Sequence, residues 1–70
     1  MTPPIVVHPP LPEGGRRVTA HAESLGIAYR AEDVVQFLRN VGLPDDEIQL
    51  DDTNLIEWRG GGQDVWQPPG

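Results

Sequence analysis

Apolar residues recur most regularly between Ala31 and Val41, where Val34, Val35, Leu38 and Val41 follow helical spacing with Phe37 beside them. Positions three and four apart share one face of an α-helix, so this stretch predicts an amphipathic helix with a broad apolar side. Glu32 and Asp33 fall in its first turn, where the helix dipole favours anions. Gly42 supplies a C-terminal cap and Pro44 prevents continuation. Packing against a sheet accounts for the apolar face without any partner.

Upstream the period changes to two. Val18, Ala20 and Ala22 alternate with Thr19, His21 and Glu23, the pattern of a half-buried strand. Glu23-Ser24-Leu25-Gly26 then reads as a turn, with Ile27-Ala28-Tyr29 returning as a second strand. Near the other end, Gly60-Gly61-Gly62 lies between two segments that each carry a tryptophan, Trp58 and Trp66. A glycine-rich tip between β-branched and aromatic residues predicts a hairpin, because glycine reaches positive φ without a Cβ clash. In that register Arg59 faces Gln63, Trp58 faces Asp64 and Ile56 faces Trp66. Ile56, Trp58 and Trp66 then share one face, while Leu55, Glu57 and Val65 share the other.

Two segments lack a clear period. Residues 1–15 hold Pro3, Pro4, Pro9, Pro10, Pro12, Gly14 and Gly15, which predicts an extended arm in which Ile5-Val6-Val7 could dock only as an edge strand. Leu43 to Asn54 is an acidic connection whose Ile48 and Leu50 fit either a short strand or one helical turn. The predicted order is therefore β-β-α-(short element)-β-β. This is an α+β fold with an antiparallel sheet, one helix packed across it, a flexible arm over 1–15, a domain over 16–67 and a tail over 68–70.

Composition narrows the function more by exclusion than by assignment. The 70 residues contain no cysteine, so thiol chemistry, Cys-based metal sites and disulfides are excluded. All five basic residues are arginine, which excludes Schiff-base and P-loop lysines and suits a high-GC bacterial source. Hydroxyls such as Ser24 and Thr19 lack any nucleophile-elbow context, and the two histidines, His8 and His21, form no metal-binding spacing. No catalytic residue, metal site or cofactor is assigned, and the chain is expected not to be an enzyme. The opening Met1–Val7 lacks a basic n-region, and no stretch approaches the roughly 20 apolar residues of a membrane span. These features predict a cytoplasmic protein that does not engage a membrane.

Charge supplies the functional expectation. The net charge of -6 sits entirely after Gly42, where seven acids face Arg59 alone. Such a field repels phosphate backbones and suits a basic protein partner. A small acidic protein-interaction or regulatory module is therefore expected, with Trp66, Ile56, Glu57, Asp51, Asp52 and Asp64 forming the contact to that partner or to a second copy of the chain. Nucleic-acid binding through Arg16, Arg17 and Arg30 on the first hairpin is the competing expectation, weakened by the four acids that balance four arginines in that half.

Overall fold

In the computed structural model, which describes residues 3–68, three β-branched residues decide the fate of the proline-rich N-terminus. Ile5-Val6-Val7 begin strand β1 (Ile5–Pro10), which is bonded on both sides. It pairs antiparallel with β2 (Arg16–Ala20) and parallel with β4 (Ile56–Trp58). The expectation of an arm outside the domain is thus corrected at Ile5–Pro10. Prolines lack the N–H that a ladder needs, and here they fall at the far end of the strand, where the register shifts between Val7 and Pro10. Pro10 still pairs with Arg16, and the turn that follows is closed by Gly14 N–H donating to Leu11 O at 2.9 Å.

The first expected hairpin turns before the expected Glu23–Gly26 segment. Strand β3 (Glu23–Ala28) runs antiparallel to β2, and the turn is His21–Ala22, both at positive φ. Two consecutive positive φ values match the right-handed twist of the flanking strands, which is why so short a loop tolerates two residues with side chains. Gly26 lies inside β3 instead, where a Cβ would meet the Phe37 ring at 2.9 Å.

Helix α1 (Ala31–Asn40) matches the predicted amphipathic segment, with Val34 and Leu38 fully enclosed. Val41 is the exception: it forms the C-cap and is 47% exposed. The connection continues as one 3-10 turn, Asp45–Glu47, and Leu43, Ile48, Leu50 and Leu55 pack back against the core. Because β1 and β3 both run opposite to β2, β4 is parallel to β3 as well, and α1 is the crossover that joins them.

The outcome is an α+β fold with a four-stranded mixed sheet in the order β3-β2-β1-β4 and one helix among the described residues. Strand β4 replaces the expected tryptophan hairpin, and no strand follows it within the described residues. Residues 69 and 70 of the expected tail, and residues 1 and 2 of the expected arm, lie outside those described. The core is Ile5, Val7, Val18, Ala28, Val34, Leu38 and Ile56, all on the helix side of the sheet.

Candidate functional site

Alternation along β2 sends Val18 to the helix side, so Arg16, two residues earlier, points there too. Its exposure is 0%, and no carboxylate among the described residues forms an ion pair with it. The ion pairs among the described residues are Arg39–Asp45 and Arg59–Glu57. Backbone carbonyls take the place of an acid. Arg16 Nε donates to His8 O at 2.8 Å, Nη1 to Gly62 O at 2.8 Å and Val65 O at 2.9 Å, and Nη2 to Arg59 O at 2.6 Å and Gly61 O at 2.9 Å. Guanidinium has five N–H donors in a fixed fork, and all five are used.

Two rings complete the enclosure. The guanidinium carbon lies 5.3 Å from the Trp58 ring centre and 5.9 Å from that of Trp66, within cation–π range. The rings meet edge to face, 6.1 Å apart at 82°. Trp58 Nε1 donates to Leu50 O at 2.8 Å, and Trp66 O accepts from Gly15 N–H at 2.9 Å. Burial draws the guanidinium pKa down, while the carbonyls and ring faces stabilise its charged form. This explains the glycines: Gly60 and Gly61, at φ +79° and +124°, turn the chain around a cation and do not form a hairpin tip.

The expected contact residues accordingly separate. Ile56 is a core residue, 1% exposed, and Trp66 is half-buried against Arg16, so they do not form an open apolar strip. Asp52 builds a turn: its Oδ1 accepts from Asn54 N–H at 2.9 Å and its carbonyl from Ile56 N–H at 3.0 Å. Asp51 and Asp64 are exposed, whereas Glu57 lies on the opposite side of β4 from Ile56 and pairs with Arg59. The expected arginine trio separates as well. Arg16 is enclosed, Arg30 is exposed at the start of α1, and Arg17 is exposed on the far side of the sheet.

That far side is the second feature of the molecule. With α1 on one face, the other face of the sheet has no covering layer among the described residues. Register places Val6 beside Thr19 and Glu57, and Arg17 beside Ile27. His8 follows Val7 onto the same face, its Nε2 3.0 Å from Thr19 Oγ1. Partial burial, then the cations Arg59 and Arg17, lower the His8 pKa below 6.5, against an opposing pull from Glu57. Ile27 is 41% exposed and Tyr29 63%. Val6, His8, Thr19, His21 and Arg59 line a shallow depression of about 370 Å³ on this face. The sequence reading missed His8, Thr19 and Arg59. The signal was the β-branched run at Ile5–Val7, which puts His8 on a strand once the prolines are read as its end and not as its negation.

Comparison with protein-family models, curated proteins and solved structures finds no match to this chain. No helix among the described residues is long and apolar enough to cross a membrane.

Proposed function

We propose that this chain is a small non-enzymatic interaction module of the bacterial cytoplasm that docks a partner protein on the open face of its sheet. The observation that carries the reading is the uncovered face itself. Sheets with antiparallel pairs often leave one polar face to water, and here that face instead carries the exposed Ile27 and the half-buried Val6 beside His8, Thr19 and Arg17. The tryptophans are committed to Arg16, which moves the docking surface away from the C-terminal segment. A basic partner on Asp51, Asp64 and the acidic connection, or a second copy of the chain, is the competing protein-binding reading. Arg17 and Arg30 keep nucleic acid as a competitor of another class, opposed by the net charge of -6.

Capture from extracts of the native cell with three forms of the full chain tests the reading. A partner retained by the wild type and by Asp46→Asn/Asp51→Asn, but lost with Ile27→Asp, supports docking on the open face. Retention lost only in the aspartate variant overturns it in favour of a basic partner. Salt-sensitive binding of mixed single-stranded DNA and RNA that disappears in Arg17→Ala/Arg30→Ala overturns it in favour of nucleic acid.

A further inference from the structure

Resting on that docking reading, we infer that the partner presents an acidic, extended segment whose carboxylates land on Arg17 and Arg59, the two ends of a row, Arg17, His8 and Arg59, that crosses the open face. Strand register creates the row. His8 lies on β1 just past the Val7–Val18 pairing, where the register shifts, Arg17 precedes Val18 on β2, and Arg59 follows the parallel Val7–Trp58 pairing on the other side. Arg59 N–H donates to Val7 O at 2.9 Å, which holds the third position of the row against the strand.

Two arginines on one face, with only the His8 imidazole between them, are unfavourable by themselves, since like charges on neighbouring strands repel. The fold offsets only part of this. Glu57, the one carboxylate on the strand positions of this face, pairs with Arg59, and Arg17 has no ion pair or side-chain hydrogen bond among the described residues. The acids lie elsewhere: the connection that carries Asp45, Asp46 and Glu47 packs toward the core side through Leu43, Ile48 and Leu50. A protein with net charge -6 thus shows a locally basic surface where its sheet is bare.

Size and charge together select the ligand class. The depression beside the row, about 370 Å³, has the apolar Val6, Ala22 and Pro4 next to His8, Thr19 and Arg59, which suits a few side chains mixing carboxylate with small apolar groups. A polyphosphate chain extending past the row would meet the repulsion of the acidic connection. A short peptide whose charge is confined to the row would not.

The probes are two capped hexapeptides, Ser-Val-Glu-Val-Glu-Ser and its counterpart with glutamine for glutamate, titrated at low salt into the full chain labelled with nitrogen-15. The acidic peptide is expected to shift the amide resonances of Val6, His8, Arg17, Thr19 and Arg59, and the glutamine peptide is not. Arg17→Gln should weaken binding about two- to fivefold, the scale of an exposed ion pair. Glu57→Gln should strengthen it by a similar factor, because it releases Arg59 from its internal partner. Equal binding of both peptides on the open face overturns the acidic segment while leaving the docking face standing. Failure of the acidic peptide to bind up to its solubility limit also overturns the inference, and the Ile27→Asp capture then judges the docking face independently. An oligothymidine that shifts the row while the peptide does not overturns both.

Discussion

Arg16 and Arg17 are chain neighbours with the same side chain, yet they belong to different chemistries. Strand alternation turns Arg16 to the helix side, where it is wholly enclosed, and Arg17 to the open side, where it is solvated. On the helix side a cation is tolerable only if every donor is matched, because an unpaired buried polar group costs the full loss of its hydration. Arg16 meets that demand with five carbonyls drawn from His8 and the loop after β4. Arg17 faces no such demand and organises nothing around it. A buried charge therefore acts here as a template for the chain, while an exposed one of the same kind is available to a ligand.

The largest effect that would break this comparison is on Arg16. Arg16→Ala should cost at least ~3 kcal/mol, counting only the half-buried His8 and Val65 acceptors at about 1.5 kcal/mol for each charge-assisted bond and letting the exposed carbonyls rehydrate. That places it beside Leu38→Ala, roughly 2–5 kcal/mol for a fully buried leucine. Arg16→Lys should recover little of the loss, since an ammonium group cannot reproduce the fork. Urea denaturation of the three variants checks the ranking. An Arg16→Ala protein as stable as the wild type would show that the loop does not depend on the cation.

The glycine run sharpens the comparison one step down. Gly60→Ala should cost roughly 1–2 kcal/mol for a side chain held at positive φ, and more because its Cβ would meet Pro9 at 2.8 Å. Gly62→Ala has open space around it and should fall within about 0.5 kcal/mol of the wild type. Thermal melts of the pair check that order, and a Gly60→Ala protein as stable as Gly62→Ala would show that neither the positive φ nor the Pro9 contact constrains the loop.

His8 gives a smaller effect, on the open side. Its folded pKa lies below 6.5, so below that pH the unfolded chain binds more protons than the folded one. The histidine contribution is therefore fully present above the ordinary value and is lost as pH falls toward the lowered one. Chemical denaturation at about pH 7.5 and about pH 5.5 should show a fall in stability that His8→Gln lessens. Proton NMR of the ring should place the His8 midpoint below 6.5, and Arg59→Gln should raise it. The smallest effect belongs to Arg17: Arg17→Ala should leave stability within about 0.5 kcal/mol by the same denaturation assay. A larger loss would mean that Arg17 is also part of the fold.

The helix was legible because its signal is local. Val34 and Leu38 at helical spacing, acids in the first turn and Gly42 after the last determine Ala31–Asn40 almost alone. The hairpin of β2 and β3 was legible in its strands but not in its turn, since His21 and Ala22 take positive φ without a glycine and Gly26 serves a Phe37 contact instead. The expected contact residues lie apart for a related reason. Which face Ile56 joins depends on the partner of β4, and β4 lies parallel to β1, a strand hidden behind prolines.

The sequence by itself thus determined the α+β class, the helix and the charge imbalance, since each follows from residues close together in the chain or from a simple count. Only the tertiary structure decided that β1 lies inside the sheet, that one face stays bare, and that the glycine-rich segment wraps a cation. Positive φ at Gly60 and Gly61 is equally compatible with a hairpin tip and with a loop. The choice between them comes from Arg16, 46 residues before Gly62 in sequence, because enclosing its guanidinium requires carbonyls that only that loop brings to it.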